Sequence, residues 1–553
     1  MSETPAVPTP VAPDAPAVPA NKISTKAAGL VSLAVMSSRV LGLLRDQIFA
    51  ALFGASAQMD AFVTAFRAPN LLRDLFAEGA LSTAFITTFS EKITKEGDGA
   101  AWRLANKVAT LAAVFMSLVT LLGIWGAPLI THLLAGGFDQ PKMDLTVELT
   151  RIMFPFIALV SLAALVMGML NAKNVFGMPA MASTFFNIGS IIGGVAFGRL
   201  LDPHFGTKQY GTGSLVGMAI GVLIGGLAQL VVQFPSLRRV GYHFRPDFEW
   251  HDPGVRRILL LMGPAVIAAS AVQVNVMVNG NFASHLSNGA VSWLSYAFRL
   301  MQLPIGIFGV AISTVTLPVV TRSAAVGNTA EFRSILAKGM RLAFLLTVPS
   351  TIGLVMLARP IIGLIYERRK FGPEDTGHTA EALQFYAIGL CAYAGIKVLA
   401  PAFYAIGKRN TPMMVSFLSI GVNYGLNQIF TFNLGWAHRG LAFSTGLVAL
   451  TNFALLYLLM RKQVKRLETK QMIVTLGKLA VAGGILALVC WAGNHWVLAG
   501  WSHQGFLVRV SLLFITICVA AAVFFAVAFL LRMEELDDVA ALAKRKLGRF
   551  VKR

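Results

Sequence analysis

Residues 37–90 read SSRVLGLLRDQIFAALFGASAQMDAFVTAFRAPNLLRDLFAEGALSTAFITTFS, a segment long and apolar enough for two membrane spans that nevertheless carries eight charged side chains. These are Arg39, Arg45, Asp46, Asp60, Arg67, Arg73, Asp74 and Glu78. A charge at bilayer depth costs about 2.5–3.5 kcal/mol on insertion scales, so these side chains are not expected to face lipid. We therefore predict that they line an interior space that admits water.

Helical geometry gathers most of these charges onto one face of each span. At about 100° per residue, Arg39 and Asp46 are nearly eclipsed in the first span. In the second span, a polar face about 40° wide is predicted, provided that the helix continues through Pro69. Its members are Asp60, Arg67, Asp74 and Glu78. Each polar face is expected to turn toward a shared interior.

Arg45 and Arg73 point away from these faces, and neither has an obvious partner within its own helix. Guanidinium groups bind phosphate oxygens in a bidentate manner, so unpaired arginines in a cavity suit an anionic ligand that contains phosphate. The alternative is a buried lattice of ion pairs that only holds the helices together.

The composition is that of an all-α polytopic membrane protein, with 56% hydrophobic residues, 13% charged residues and a mean hydropathy of +0.68. The net charge of +21 does not predict nucleic-acid binding, because the basic residues lie in short connectors between apolar spans. No P-loop, nucleophile elbow or metal-spaced set of His or Cys is present. We therefore predict neither an enzyme nor a cofactor. Transport by this chain would be driven by the membrane potential or by a proton or sodium gradient.

Fourteen apolar segments are long enough to cross a bilayer. They fall at 28–52, 59–90, 104–134, 148–172, 178–201, 213–235, 257–286, 289–321, 332–365, 379–406, 411–433, 437–460, 472–497 and 506–531. Most Lys and Arg residues lie in one alternate set of connectors and in the two termini, which predicts that this set and both termini are cytoplasmic. The run Glu367-Arg368-Arg369-Lys370 departs from this rule, since it falls on the outer side.

Short internal repeats indicate two halves of the same orientation. Ala65-Phe66-Arg67 recurs as Ala297-Phe298-Arg299, which aligns span 2 with span 8. Parallel repeats are a transporter architecture with the substrate site between the halves, so Arg67 and Arg299 are predicted to face one cavity. The expected organisation is a disordered Pro/Ala-rich tail at 1–21, six-helix lobes at 22–240 and 241–470, two extra spans within 471–532 and a basic tail at 533–553. That last segment is expected to be an amphipathic helix on the membrane surface or a solvated tail.

The second half carries fewer charges and more amides. Asn275 and Asn279 share one face of span 7, and Asn423 and Asn427 have the same spacing in span 11. Amides at this spacing most often form interhelical hydrogen bonds, and a ligand or ion site is the alternative. Lys397 lies alone in the middle of span 10, where a cavity position is favoured over snorkelling to the interface.

Several long motifs in order resemble the MurJ/MviN family of lipid II flippases. They are SRVLGLLRD at 38–46, MDAFVTAFRAPNLLRDLFAEGALSTAF at 59–85, LNAKNVFGMPA at 170–180, VSWLSYAFRL at 291–300, IYERRKFGPEDT at 365–376 and YAIGKRNTP at 404–412. The resemblance implies the fold of the multidrug/oligosaccharidyl-lipid/polysaccharide exporter superfamily, with a lipid-facing groove at spans 13 and 14. It also implies a bacterial inner-membrane protein that moves lipid II, the undecaprenyl-pyrophosphate-linked disaccharide-pentapeptide, to the periplasmic leaflet for peptidoglycan synthesis.

The family's essential cavity positions correspond to Arg39, Arg45, Asp46, Asp60, Arg73, Glu78 and Arg299. Of these, Arg39, Arg45, Arg73 and Arg299 are expected to bind the pyrophosphate. A second set is expected to gate them or to form ion pairs, namely Asp46, Asp60, Arg67, Asp74, Glu78 and Lys397. The chain departs from the family at Thr87, Phe298 and Gln302, where Pro, Asp and often an acid are usual.

Some relatives in this family hold Na⁺ between spans 7, 11 and 12. The matching positions are Asn279, Asn423, Asn427, the Leu441 carbonyl and Thr445. Amides here replace the carboxylates that would hold a hard cation, so the sequence argues against a sodium site and favours the membrane potential or protons.

The function expected from these features is that of a lipid II flippase working as a monomer by alternating access, with lipid II and membrane lipids as its partners. Two alternatives differ in class. An exporter of the same fold could carry another polyprenyl-linked glycan or a cationic drug, although a drug exporter would want acidic rather than basic cavity residues. A non-transporting membrane scaffold would use the charges only structurally.

Overall fold

The computed structural model describes residues 25–75, 81–207, 209–501 and 504–536. Within these ranges the chain is helical and contains no β-strand. The predicted tail at 1–21, residues 537–553 of the basic tail, and Glu78 lie outside the described residues.

Ten helices form the first half of the chain. They are α1 Thr25–Phe53, α2 Ala57–Arg73, α3 Ser82–Glu96, α4 Asp98–Trp125, α5 Ala127–Ala135, α6 Gln140–Met153, α7 Phe156–Ala172, α8 Gly177–Leu201, α9 Thr212–Val231 and α10 Phe234–Arg239.

Nine helices form the second half, and two more follow it. The nine are α11 Pro253–Ser284, α12 Ala290–Pro304, α13 Val310–Ala325, α14 Thr329–Met356, α15 Ala358–Tyr366, α16 Pro373–Ile388, α17 Leu390–Ala405, α18 Asn410–Asn427 and α19 Ala437–Val464. The last two are α20 Thr469–Ala492 and α21 Phe506–Leu530. Segments of π-helix follow α12, α18 and α20 at Ile305–Gly309, Gln428–Asn433 and Gly493–Val497.

Side-chain caps fix several helix starts. Ser56 Oγ accepts from the Met59 amide at 3.2 Å, and Asp252 Oδ1 accepts from the Gly254 amide at 2.7 Å. Asn328 Oδ1 accepts from the Glu331 amide at 3.1 Å. These contacts satisfy amides that have no partner within the first turn of a helix.

Nine helical segments within the described ranges are long and apolar enough to cross a membrane. Two helix pairs, α12 with α13 and α16 with α17, are bent by 41° and 42°, and each pair counted as one span gives eleven. The structure therefore confirms a multi-pass helical membrane protein but not the count of fourteen. Predicted spans 1, 2 and 11 are the ones outside this count, and they contain the charges of α1 and α2 and the amides of α18.

Several predicted spans are broken helices. Predicted span 4 starts at Gln140 rather than at residue 148, because the polar first turns of α6 lower its mean hydropathy, and the span breaks at Pro155. The helix α2 does continue through Pro69, as its polar face requires. The bend between α16 and α17 falls at Gly389.

The apolar cores differ between the two ends of the helices. At the end with the connectors near 54–56, 136–139, 285–289 and 367–372, one core contains residues of both halves, and we name this the shared-core end. At the opposite end, α3, α4 and α7 pack around one core, whereas α14, α17 and α19 pack with α20 and α21 around another. We name this the split-core end. The first turn of α11 joins the first-half core there through Val255 and Ile258.

Candidate functional site

Asp46 connects the two halves of the chain within their helical spans. Its Oδ1 lies 3.2 Å from Arg45 Nη2, and its Oδ2 lies 2.5 Å from Nε of Arg299 on α12. Arg45 and Asp46 are each 6% exposed, whereas the Arg299 side chain is 42% exposed. The expectation that Arg45 has no partner in its own helix is therefore wrong, because the guanidinium folds back onto the adjacent carboxylate.

Arg39 precedes this pair on α1. It contacts the π-helical segment that follows α12, the helix that contains Arg299. Its guanidinium rests against Gly306 in the π-helical segment after α12, where any side chain would collide with it. Arg39 is half-buried, and no carboxylate among the described residues pairs with it. Its positive charge is thus held between the halves, and the described part of the chain supplies it with no counter-ion.

Arg67 and Arg299 make equivalent contacts across the two halves. The Arg67 guanidinium on α2 lies against Gly280 of α11, and the Arg299 guanidinium on α12 lies beside Gly42 of α1. Each arginine therefore reaches from the second span of its own half to the first span of the other half. The predicted repeat pairs these arginines as symmetry mates, and the contacts fit that pairing.

Arg73 pairs with the next residue in the chain, since its Nη2 lies 2.8 Å from Asp74 Oδ1. This pair is more exposed than the Arg45–Asp46 pair, with side-chain exposures of 26% and 37%. The expectation that Arg73 has no partner is also wrong. Arg73 and Arg299 both lie close enough to Arg45 for their charges to repel its own, so a bound anion would relieve this repulsion.

Asp60 is fully buried at the shared-core end, and none of its described contacts is to an arginine. Its Oδ2 accepts from Lys142 Nζ at 2.9 Å and from the Gly289 amide at 2.7 Å. Its Oδ1 accepts from the amide and the hydroxyl of Ser292 at 2.9 and 2.7 Å. A first-half carboxylate thus caps the N-terminus of second-half helix α12, where the helix dipole favours a negative charge.

Sequence reasoning missed Lys142 and Ser292, the partners of Asp60. Lys142 lies in a connector of the outer set, which is predicted to carry few basic residues. A lysine in such a connector is an exception to the charge rule, and that exception is the one signal that could have drawn attention to it. Ser292 carried no signal, since a serine near a helix start most often caps its own helix. Lys397 is exposed, and no described contact joins its ammonium group to the arginines.

The five positions matched to a sodium site do lie together. Asn423 Nδ2 and Asn427 Nδ2 donate to Asn279 Oδ1 at 2.9 and 2.8 Å, and Asn279 Nδ2 donates to Thr445 Oγ1 at 3.3 Å. Thr445 Oγ1 in turn donates to the Leu441 carbonyl at 2.8 Å. Asn279 Oδ1 thus already receives two N–H donors, whereas Asn423 Oδ1 and Asn427 Oδ1 are buried without a hydrogen-bond partner among the described residues. None of the five positions supplies a carboxylate, so the set fits an interhelical hydrogen-bond network better than Na⁺.

An all-helical, multi-pass fold whose halves meet over charged side chains defines the class of membrane transporters. The family model described as "Lipid II flippase MurJ" matches residues 49–513, which is most of the chain. The chain belongs to this family.

Known proteins agree with this assignment. A "Probable lipid II flippase MurJ" of Rickettsia prowazekii is 33% identical over 505 residues, which is 91% of this chain and 96% of the relative. The solved structure "Lipid II flippase MurJ, inward closed conformation" superposes with a TM-score of 0.72 at 26% identity, covering 90% of this chain and 99% of that one. An inward-facing multidrug resistance MATE family transporter of the MOP superfamily shares the fold, with a TM-score of 0.62, 15% identity and coverage of 80% and 95%.

Proposed function

We propose that this chain flips lipid II from the cytoplasmic to the periplasmic leaflet of the bacterial inner membrane by alternating access. The observation that carries the proposal is the bridge from Arg45 through Asp46 to Arg299, which joins α1 to α12. Family membership supplies the chemistry of the cargo, a pyrophosphate linked to a polyprenyl chain and a disaccharide-pentapeptide. The guanidinium groups suit the pyrophosphate.

Asp46 would act as an internal stand-in for the substrate anion. Without cargo, its carboxylate holds Arg45 and Arg299 at short distance. A pyrophosphate carries more charge and more acceptor oxygens, so it would draw in Arg39 and Arg73 as well and displace the carboxylate. A ligand shifts a conformational equilibrium only through contacts that differ between states, and this exchange of anions supplies such a difference.

The architecture proposed for this function has fourteen spans. Length and composition support eleven of these spans. The other three would be formed by α1, by α2 together with α3, and by α18. Lobes at 22–240 and 241–470 would move relative to each other, and α20 and α21 at 471–532 would hold the polyprenyl tail in a lipid-facing groove. The helices α20 and α21 pack on the apolar core of the second half. This packing supports a groove that would move together with that lobe.

The basic connectors belong to the split-core end, so we propose that this end and both termini are cytoplasmic. The separate cores at that end suit loading from the inner leaflet. We further propose a monomer driven by the membrane potential or by protons, since the amide set around Asn279 favours internal hydrogen bonds over a sodium ion.

The test is lipid II translocation in proteoliposomes with Arg299→Ala and Arg39→Ala. Loss of a charge-assisted contact to pyrophosphate costs about 1.5–3 kcal/mol, which predicts a loss in flipping of at least about tenfold for each variant. Arg409→Ala removes an exposed arginine from a connector and should flip at the wild-type rate. Wild-type flipping by both cavity variants would refute the arginine mechanism.

A further inference from the structure

A cluster of two histidines and a glutamate lies at the shared-core end, outside the arginine site. His378 and Glu381 are three residues apart on α16, so they share a helix face, and His438 comes from the first turn of α19. One ligand atom from each residue can be chosen so that all three lie within 4.8 Å of one another. We propose that these residues form a binding site for a divalent transition metal, with Zn²⁺ as its best fit.

One nitrogen of each ring lies near the same carboxylate oxygen. Glu381 Oε2 lies 3.7 Å from His378 Nδ1 and 3.4 Å from His438 Nε2. Ligands at zinc distances of about 2.0–2.1 Å in tetrahedral geometry lie about 3.3 Å apart, so the cluster needs only small shifts to close around an ion. Both of these ring nitrogens are buried and lack a hydrogen-bond partner among the described residues. A ring nitrogen in that condition is costly unless a ligand binds it.

A neighbouring arginine orients the carboxylate of the cluster. Arg439 Nε donates to Glu381 Oε2 at 2.9 Å, and this oxygen retains a further lone pair that can bind an ion. The second nitrogen of His378 lies 3.9 Å from Glu374 Oε1, so this carboxylate is close to the ring but not hydrogen-bonded to it. Two imidazoles and one carboxylate are a donor set that selects zinc over calcium or magnesium.

The site adjoins the contact between the halves. The indole of Trp293 on α12 lies 4.3 Å from the His378 ring and 5.3 Å from the His438 ring, and its Nε1 donates to Asp375 at 2.9 Å. Trp293 follows directly after Ser292, whose amide and hydroxyl donate to Asp60. A bound ion would therefore brace α16 and α19 against the helix that the first half caps.

The experiment uses the full chain, purified in detergent and stripped with a chelator, then equilibrated with zinc or cobalt and freed of excess metal. One zinc per chain by elemental analysis and the visible absorption of tetrahedral cobalt are expected for the wild type. His378→Asn and Glu381→Gln should each lower zinc affinity by at least about 100-fold. His378 and Glu381 are only half-buried, so the variants should elute from size exclusion as the wild type does.

The matched control is His495→Asn, since His495 also stacks on a tryptophan ring but belongs to no such cluster within the described part of the chain. It should retain one zinc per chain and the cobalt spectrum. Failure of the wild type to retain metal, or equal retention by His378→Asn, would show that the cluster is only an ion-pair network and overturn the proposal. Both readouts are independent of flipping, so they do not depend on the proposed function.

Discussion

At the shared-core end, buried charges and backbone hydrogen bonds join the two halves, whereas at the split-core end each half packs mainly around its own apolar core. The buried carboxylate of Asp60 accepts from both halves at the first end. The backbone amide of Lys370 also donates to the Ala51 carbonyl there.

Two ion pairs link the first half to the start of α11 at the split-core end. Arg257 reaches Glu91 through an ion pair in which the arginine side chain is 52% exposed. The buried Lys107 of α4 also donates to Asp252, the N-cap residue of α11, at 3.0 Å. The two ends therefore differ in whether the halves share one apolar core, while each end has a buried charge between the halves.

This difference suggests how a helical transporter can keep one end closed and still open that end during transport. Polar contacts are directional, so a rotation of one half breaks them together. Apolar contacts within each half do not depend on the other half and persist through such a rotation. The predictions that follow test whether the buried polar contacts at one end do carry the association of the halves.

Asp60→Asn is expected to have the largest effect. The substitution leaves the Lys142 ammonium buried without its carboxylate, which costs about 3–5 kcal/mol. Melting in detergent should occur at a clearly lower temperature, and lipid II flipping should fall with it. The double variant Asp60→Asn with Lys142→Met should recover part of the stability, because no unpaired buried charge remains.

Asp144→Asn is the matched control for Asp60. Asp144 lies on α6 two residues from Lys142, but it is exposed and accepts only from Gln140 Nε2 among the described residues. It should melt like the wild type. Equal losses for the two aspartates would mean that the joined end does not depend on the buried carboxylate.

Asp46→Asn should follow, at about 3 kcal/mol, because Arg45 is buried and loses its counter-ion. Asp74→Asn breaks the other Arg–Asp pair of neighbouring residues, but that pair is partly exposed and should cost less than about 1 kcal/mol. Thermal melting of the two variants side by side measures the difference. If Asp74→Asn lowered the melting temperature more than Asp46→Asn does, burial would not determine how much each pair contributes to stability.

Gly306→Ala should have a smaller effect and act on transport rather than on stability. The added methyl group takes the space of the Arg39 guanidinium, so flipping is expected to drop about tenfold, or about 1.4 kcal/mol. Gly309→Ala lies in the same π-helical segment, and its methyl group would make only ordinary contact with Ala394 at 3.7 Å. A translocation assay should find Gly309→Ala active, and equal activity of both variants would count against a role for the Arg39 position.

Arg257→Gln should have the smallest effect, since exposed ion pairs add little to stability. The melting temperature is expected to stay within about one degree of the wild type. A loss comparable to that of Asp60→Asn would remove the contrast between the ends, because the split-core end would then also hold the halves together.

Much of the membrane architecture could be predicted because it depends on hydropathy and length, which the sequence states directly. The charges of α1 and α2 were also readable, since helical period needs no tertiary information. The symmetry relation between Arg67 and Arg299, read from a repeated motif, stays a prediction. The family resemblance read from the motifs is confirmed by the family match.

The pairing of the charges could not be predicted in the same way. Helical angles place Arg45 and Arg73 away from the polar faces, yet their long side chains fold back to Asp46 and Asp74. Asp60 shares a predicted face with Arg67, but it lies at a different depth and reaches the start of a helix more than 200 residues later. Depth along a span and contacts between distant helices are not properties of a local pattern.

The closure by Asp60 also bears on the permeability of the membrane in which the protein sits. A path wide enough for a lipid headgroup would let ions pass if both ends opened together, and the cell would lose the potential that drives many of its other pumps. Because this first-half carboxylate engages the start of a second-half helix, we expect it to help keep that end shut in an empty carrier. The three hydrogen bonds by which Asp60 joins the halves would thus also insulate the bilayer between transport events.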